Sequence, residues 1–371
     1  MSIDRLRRVK SLMEQEGFEA LFVSPGPNQR YLTGLRYDYP GDAWDVMITW
    51  DIITFAVIPL DGDPVLVVPR IGEEDARELS KLEDIRPYSS PEDRKTVLGE
   101  LLSNMKGTIG TEDHMPFKTY EQLTSAVPDV TVRSASDMLS LARLVKSEEE
   151  IECVRKAARI VEDGVKVGRE FIRESATERE ISIEVERAMR ARGAESISYC
   201  VVQTGAKTAT WDPPSEDRVK KGDMFLMDLS ATYNGYHADL TRPTVVGEPS
   251  EKQKRVHEVV HDAQLKAIEA VRDGVRAGAV NDAARKVIDE SGYGEHFPFG
   301  IGHGLGLEAH EMPHLTEYKD TEMTLKPGIV MTIEPTLNFP GEFGIRIEDD
   351  ILVTLEGSEH LTRFGKDLTV V

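Results

Sequence analysis

The sequence predicts a mixed α/β protein made of two domains. The chain has 371 residues, a length that suits two domains better than one. Apolar runs of strand length alternate with amphipathic helical patterns along the whole chain. After residue 136 the order helix, helix, strands occurs twice. We therefore expect an N-terminal α/β domain at 1–135 and a C-terminal domain of two related halves at 136–371.

The first domain has a local signal for each of its elements. Apolar residues at helical spacing cover 2–16 and stop at Gly17, and ALFV follows as a buried strand. Two apolar runs within 54–69 flank Asp61-Gly62, which is the pattern of a β-hairpin. The remaining predicted elements are helices near 92–105 and 118–126 and the strand-like segments TIGT and VTVR.

Three helices of the second domain begin with the same type of cap. A Ser or Thr followed three residues later by Glu or Gln is the capping-box pattern, and each instance precedes an amphipathic run. The pairs are Ser147 with Glu150, Thr177 with Glu180, and Ser250 with Gln253. A further helix is predicted over 280–291, and strands within 197–203, 224–246 (with a turn at Asn234-Gly235), 328–335 and 344–355.

The composition excludes several classes of function. The formal charge of −21 argues against nucleic acid and anionic membranes as partners, because both require basic patches. The chain has two cysteines, Cys153 and Cys200, which favours a reducing compartment. The N-terminus lacks a signal-peptide pattern, and no apolar run approaches the roughly 18 residues that a membrane span needs. We therefore predict a cytoplasmic protein with no membrane partner.

Acidic residues interrupt apolar strands at matching places in the two halves. Asp228 lies six residues after Gly222, and Glu334 lies six residues after Gly328. A second carboxylate follows in each half, Asp239 in the first and Glu348 in the second. An ionised carboxylate inside an apolar strand needs a cation or strong hydrogen bonds.

A histidine motif adds nitrogen to this set of oxygens. The segment GHGLGLEAHE places His303 and His310 seven residues apart among three glycines. Four carboxylates and His303 would suit two divalent ions, and the acid-rich set favours manganese, cobalt, zinc or iron. Taken singly, an Asp in a strand is more often an edge residue, and a His in a glycine-rich loop is more often not a ligand. Asp349-Asp350, next to Glu348, reads as solvated charge.

Several motifs together resemble the pita-bread metallopeptidases, most closely the prolidase and aminopeptidase P branch that also includes creatinase. VSPGPNQRYLTG is similar to the N-terminal domain of that branch, and ARLVKSEEEIECVRKAARI is similar to the start of its catalytic domain. DLSATYNGYHADLTR, GHGLGLEAHE, TIEP and IRIEDD resemble the catalytic motifs of the family. The resemblance implies a creatinase/prolidase-type α/β domain followed by a pita-bread domain with a pseudo-twofold repeat.

The resemblance also implies a reaction and the residues that perform it. A hydroxide that bridges two metal ions would attack a carbonyl carbon, Glu334 would bind metal and move the proton, and His310 would stabilise the tetrahedral intermediate. The implied cleavage is of Xaa-Pro peptide bonds, and the family implies a homodimer. Arg346 is expected to orient Glu348 from outside the ligand set. The implied metal ligands are Asp228, Asp239, His303, Glu334 and Glu348.

The chain departs from the family pattern upstream of Asp228. Members that cut before proline usually carry a further histidine there, whereas this chain has GAKTATWDPPSEDR at 205–218. Asp212 stands at the histidine position with Trp211 beside it, so we expect these two residues to contact the substrate. Trp44 and Trp50 could line the pocket or could simply pack within the N-terminal domain.

Three functions remain open from the sequence. The first is a metal-dependent Xaa-Pro dipeptidase or aminopeptidase acting on a small peptide. The second is a hydrolase of the same fold that acts on a small non-peptide amide or cyclic amidine, which the missing histidine supports. The third is a non-catalytic binding protein of this fold, which the intact set of five ligands disfavours.

Overall fold

The computed structural model describes residues 3–35, 53–298 and 300–371, and the chain divides into two compact units, Met1–Arg143 and Leu144–Val371. Trp44 and Trp50 lie outside the described residues. Mixed helices and sheets occur in both units, which confirms the predicted α/β class. No helix in the described ranges is long and apolar enough to cross a bilayer.

The first unit is built on a sheet for which six strands are described, in the order β4-β3-β2-β1-β5-β6. The predicted hairpin is confirmed, because β2 and β3 pair antiparallel across Asp61-Gly62. The strands are β1 (Phe18–Val23), β2 (Phe55–Pro59), β3 (Val65–Pro69), β4 (Asp84–Tyr88), β5 (Thr108–Thr111) and β6 (Thr131–Ser134). The helices are Ile3–Glu16, Pro27–Thr33, Glu73–Leu79, Pro91–Leu102, Phe117–Ala126 and Ser136–Arg143.

The second unit repeats one order of elements twice, two helices followed by antiparallel strands. The first half has the helices Glu148–Phe171 and Glu178–Ala191, and the second half has Glu251–Ala270 and Ala277–Glu290. All three predicted capping boxes are present at the starts of these helices. The strands are β7 (Ile197–Thr204), β8 (Met224–Tyr233), β9 (Tyr236–Val245), β10 (Gly300–Gly304), β11 (Glu311–Thr316), β12 (Val330–Ile333), β13 (Thr336–Phe339), β14 (Phe343–Arg346), β15 (Asp349–Val353), β16 (Ser358–His360) and β17 (Thr369–Val370).

The second unit has two main sheets, and the acidic strands of the two halves lie in different sheets. The first sheet has the order β17-β9-β8-β7, and the second has the order β11-β10-β12-β15-β16. Strands β13 and β14 form a separate hairpin. The turn between β8 and β9 is at Asn234-Gly235 as predicted, and both residues have positive φ, as a tight hairpin turn requires.

The repeat extends to the backbone that leads into each acidic strand. Gly222 and Gly328 both have a φ of 90°, a conformation that disfavours any residue with a Cβ. At Gly328 a Cβ would also approach the carbonyl oxygen of Lys146 to 2.9 Å. Asp228 and Glu334 each follow their glycine by six residues, so the sequence spacing corresponds to the same turn in both halves.

The predicted strand over 344–355 is two strands, and the interpretation of Asp349-Asp350 as solvated charge is wrong. Strand β14 ends at Arg346 and β15 begins at Asp349, which leaves Glu348 in the break between them. Asp349 and Asp350 are both fully buried. Asp349 is paired with the guanidinium of Arg242 at 2.6 Å and with the ammonium of Lys366 at 2.6 Å. Asp350 accepts a hydrogen bond from the backbone N–H of Asp239 at 3.0 Å.

Candidate metal centre

Two of the acidic residues share one face of the β8–β9 hairpin. Asp228 lies opposite Thr241, and Ser230 lies opposite Asp239. Residues two apart on a strand point to the same side, so Asp228 and Asp239 are diagonal neighbours on one face. The turn at Asn234-Gly235 therefore fixes both the register of the hairpin and the closeness of the two carboxylates.

The second half supplies the other three side chains from strand ends. His303 lies in β10, Glu334 directly follows β12, and Glu348 occupies the break between β14 and β15. The Nε2 atom of His303 lies 3.1 Å from Oε1 of Glu334. Asp239, His303 and Glu348 each offer one possible ligand atom, and these three atoms lie within 4.8 Å of one another. Side chains from both halves are thus brought together around one point.

The four carboxylates of this site, Asp228, Asp239, Glu334 and Glu348, form what we call the acidic cluster. Hydrogen bonds from neutral side chains orient it. Thr241 donates to Oε2 of Glu348 at 2.6 Å, and Thr332 donates to Oε1 of Glu334 at 3.0 Å. The hydroxyl of Tyr199, on β7, donates to Asp239. Sequence reasoning did not find Tyr199, Thr241 or Thr332 as site residues. The only sequence signal for Thr241 is its place in the hairpin register opposite Asp228.

The acidic cluster is buried, and this raises the cost of its negative charge. Asp228, Asp239 and Glu348 are each at most 4% exposed. Burial raises the pKa of Asp228, and burial together with neighbouring carboxylates raises the pKa of Asp239 and Glu348 well above their usual range. Burial acts in the same direction on Glu334, but the hydrogen bond and charge of His303 outweigh it and lower this pKa to about 2.

The cluster has acceptor atoms that would fit divalent metal ions. Among the described residues, no hydrogen-bond partner contacts Oδ1 of Asp228, Oδ1 of Asp239 or Oε1 of Glu348. Buried carboxylate oxygens of this kind are costly unless a cation approaches them. Carboxylate and imidazole ligands without thiolates suit metals such as manganese, iron, cobalt or zinc.

His310 lies beside the cluster as a neutral donor. Its ring centroid is 4.0 Å from that of His303 and 6.2 Å from that of Tyr199. His310 is an exposed residue, but partial burial of its imidazole, followed by the neighbouring His303, lowers its pKa to about 4. The imidazole is therefore neutral near pH 7 and has one N–H to donate.

Arg346 contacts different carboxylates from the one expected. Its guanidinium pairs with Asp228, and its Nε lies 3.9 Å from Oε2 of Glu334. Its link to Glu348 passes through Thr241, which accepts from Nε of Arg346 at 3.1 Å. The expected contact with Glu348 is thus indirect.

Trp211 lies at the outer side of this arginine. The guanidinium carbon of Arg346 is 4.5 Å from the centre of the Trp211 ring, and Trp211 is 60% exposed. Asp212 is exposed as well, and its carboxylate accepts from the hydroxyl of Thr210 at 2.9 Å. The structure therefore places Trp211 next to a residue of the cluster, whereas the described contacts of the Asp212 side chain are local.

The buried carboxylate of Glu178 holds the segment that carries Trp211 in place through several hydrogen bonds. Glu178 accepts hydrogen bonds from the backbone N–H groups of Thr204 and Ser215, and from the ammonium of Lys207 at 2.9 Å. The hydroxyl of Thr208 accepts from the N–H of Gly344 in β14 at 2.8 Å, which joins the segment to the strand that ends at Arg346. Sequence reasoning did not find Glu178.

Buried carboxylates and an imidazole around a common point, with a neutral imidazole at their side, define a site of the metallohydrolase class. The family model described as Creatinase/Prolidase N-terminal domain matches residues 5–145, and the model described as Metallopeptidase family M24 matches residues 152–355. The chain therefore belongs to metallopeptidase family M24 and is a hydrolase, with the pita-bread fold that its motifs predicted.

Three similar proteins cover nearly the whole chain. The Xaa-Pro dipeptidase of Pyrococcus furiosus is 33% identical over 368 residues, which are 98% of this chain and 99% of that protein. The crystal structure of the prolidase from Pyrococcus horikoshii has a TM-score of 0.88 and 32% identity, covering 98% of this chain and 99% of that chain. The X-Pro aminopeptidase of Thermotoga maritima has a TM-score of 0.83 and 30% identity, with 99% of each chain covered.

Proposed function

We propose that this protein hydrolyses Xaa-Pro peptide bonds with two divalent metal ions held by the buried cluster. The observation that carries the proposal is the group of buried carboxylate oxygens on Asp228, Asp239 and Glu348 for which the described residues offer no hydrogen-bond partner. The names of the similar proteins support the substrate class.

The ligand set in this proposal is the one that the sequence motifs implied. Charge balance supports two ions, because four carboxylates offset two dications. Manganese, cobalt, zinc and iron all accept oxygen and nitrogen ligands of this kind. The five residues that would hold the two ions are Asp228, Asp239, His303, Glu334 and Glu348.

Each side chain of the site has a distinct task in this reaction. The two ions, when bound, would supply a hydroxide at neutral pH and polarise the scissile carbonyl. Glu334 accepts the proton of the attacking water and delivers it to the departing amine. His310 donates its N–H to the carbonyl oxygen as that atom gains negative charge. Arg346 orients Asp228 through their ion pair and opposes the rise in the pKa of Asp228 that burial causes.

The test is hydrolysis of a panel of Xaa-Pro dipeptides and one Xaa-Pro-Xaa tripeptide. The protein is stripped of metal and reloaded separately with manganese, cobalt, zinc or iron. We expect release of proline from the dipeptides that a chelator abolishes. A preference for the tripeptide would identify an aminopeptidase instead of a dipeptidase. Intact peptides under all four metals would exclude the proposal.

A second candidate function rests on Trp211. The histidine that usually stands upstream in proline-specific members is absent, and an exposed indole is stacked on Arg346 in that region. A site with this wall could serve a small non-peptide amide or cyclic amidine. The same metal-loaded protein should then be assayed on such compounds, and hydrolysis of these with no release of proline would favour the second candidate.

Replacing Trp211 tests whether its ring contacts the substrate. We expect Trp211→Ala to raise KM for an Xaa-Pro dipeptide about fivefold with a smaller change in kcat, because the loss of an aromatic contact is worth about 1 kcal/mol. Trp211→Phe keeps an aromatic face and should restore most of the affinity. Asp212→Asn is a neighbouring comparison, and an effect larger than that of Trp211→Ala would assign the contact to Asp212 instead.

A homodimer is a further part of the proposal, supported by the family resemblance alone. Light scattering coupled to size-exclusion chromatography gives the mass in solution directly. We expect twice the 41.4 kDa of the chain, and a mass of one chain would exclude the dimer.

A further inference from the structure

A buried ion pair lies beside the two-histidine segment. The ammonium of Lys146 is 2.5 Å from Oε1 of Glu311, and the two side chains are 2% and 3% exposed. A buried pair is costly to desolvate, and removal of one partner leaves an uncompensated charge. Neither residue belongs to the proposed ligand set. Metal binding therefore does not explain why this ion pair is buried at this position.

Lys146 makes hydrogen bonds through its backbone and its ammonium in addition to the ion pair with Glu311. Its backbone N–H donates to the carbonyl of Gly328 at 2.9 Å, and its ammonium also donates to the carbonyl of Leu144 at 3.3 Å. It directly precedes Ser147, which caps the helix Glu148–Phe171. The backbone of Lys146 is thus joined to the start of this helix and to the turn at Gly328, which leads toward Glu334.

The other partner is covalently next to His310. Glu311 is the first residue of β11 and pairs with Gly304 of β10, so it closes the loop that carries His310. Gly306, within the same loop, lies against the pair. A Cβ on Gly306 would come within 2.6 Å of Oε1 of Glu311 and 3.0 Å of Cε of Lys146. The pair therefore contacts both the start and the end of this loop.

We propose that Lys146 is a positioning residue that holds His310 over His303 through its ion pair with Glu311. This inference rests on the proposed role of His310 as a donor to the scissile carbonyl. Without the ion pair, the end of the loop loses its link to Lys146, and a Glu311 carboxylate left without the ammonium also moves toward water. Movement of Glu311 displaces the adjacent imidazole. The metal ligands should keep their own contacts, because the hydrogen bonds described for Lys146 do not involve them.

The test compares Lys146→Met with His310→Ala in metal-loaded protein. We expect Lys146→Met to lower kcat by about 10- to 100-fold, as an imidazole displaced by about 1 Å would. KM and the number of bound metal ions should stay as in the wild type. In the His310→Ala background, Lys146→Met should change kcat by less than about twofold, because both substitutions remove the same interaction. Lys146→Arg should restore part of the loss.

Controls separate positioning from a general loss of structure. Lys266→Met removes a lysine from an exposed pair with Glu269 and should leave kcat unchanged. The double variant Lys146→Met/Glu311→Met leaves no unpaired charge at this position, so it is expected to fold, and it should keep a low kcat because the ion pair is still missing. A wild-type kcat in this double variant would overturn the proposal. Multiplicative effects of Lys146→Met and His310→Ala would also overturn it.

A readout that needs no substrate distinguishes this proposal from the proposed function. Amide hydrogen exchange of the segment 304–311 should accelerate in Lys146→Met, while exchange in the helix Glu178–Ala191 stays unchanged. Unchanged exchange at 304–311 would overturn the positioning role even if the wild type releases proline. Faster exchange with no release of proline by the wild type would support the ion-pair constraint on the loop and refute the peptidase assignment.

Discussion

Replacing Glu348 by glutamine should lower kcat/KM for an Xaa-Pro dipeptide by about 1000-fold or more, because a metal Lewis acid contributes several kcal/mol to the transition state. Glutamine keeps the shape of the side chain and can still accept the hydrogen bond of Thr241. It cannot supply the negative charge that two neighbouring cations require. Steady-state kinetics with metal analysis of the same sample measures both effects, and we expect fewer than two ions per chain.

A matched comparison for this variant is Glu356→Gln, an exposed glutamate eight residues further along the chain. It should have wild-type activity and metal content. A kcat/KM for Glu348→Gln within tenfold of the wild type would show that Glu348 is not a ligand required for hydrolysis.

In the metal-free protein, Glu348→Gln should increase the stability at neutral pH, although it lowers the activity of the metal-loaded protein. Burial, followed by the neighbouring carboxylates, raises the pKa of Glu348 well above its usual value. Between about pH 4.3, the usual glutamate pKa, and this raised value, the folded state holds more protons than the unfolded state. The stability of the metal-free wild type should therefore fall as pH rises above about 4.3.

Thermal unfolding at several pH values in the presence of a chelator measures this dependence. Glu348→Gln resembles the protonated carboxyl and should weaken the loss of stability at high pH. A metal-free wild type whose Tm does not fall between pH 5 and pH 8, a window above the usual carboxyl pKa of about 4.3, would contradict the picture of a buried, mutually repelling cluster.

Asp349→Asn should lower the free energy of unfolding by about 3–5 kcal/mol, the usual cost of breaking a buried ion pair. Arg242 is fully buried, and its guanidinium pairs with Asp349 at 2.6 Å. Lys366 approaches the other carboxylate oxygen at 2.6 Å. Asparagine preserves the shape but leaves both cations without their counter-charge. Denaturant unfolding monitored by circular dichroism measures the change.

Glu342→Gln is the matched comparison, since it neutralises one member of an exposed pair with Lys252. It should change the stability by less than about 1 kcal/mol. If Asp349→Asn were equally mild, the Arg242–Asp349–Lys366 group would contribute little, and the residue would behave as the solvated charge that the sequence suggested.

The burial of Asp349 and Asp350 could not be predicted from the neighbouring sequence. Consecutive acidic residues are usually solvated, and the cation nearest in the sequence, Arg346, pairs with Asp228 instead. Its burial depends on Arg242, which is 107 positions away in the chain. Only the folded arrangement of β9 and β15 brings that guanidinium to this carboxylate.

The features that sequence reasoning predicted correctly depend on short-range rules. The capping boxes and the Asn234-Gly235 turn each involve a few neighbouring residues. The short helix Pro27–Thr33 was not predicted, because seven residues are too few to show helical periodicity. Tyr199 was missed for a different reason. Its bond to Asp239 depends on the pairing of β7 with β8, which no motif marks.

The central claim is that a two-metal site in this chain cleaves Xaa-Pro bonds, and a metal titration of proline release tests it most directly. Metal-stripped protein is given increasing equivalents of manganese or cobalt, and the initial rate of proline release from an Xaa-Pro dipeptide is measured at each step. We expect a rate that starts near zero, rises with added metal and reaches a plateau at two equivalents per chain. Proline release by the stripped protein in the presence of a chelator would contradict the claim, as would a full two-metal load with no release of proline.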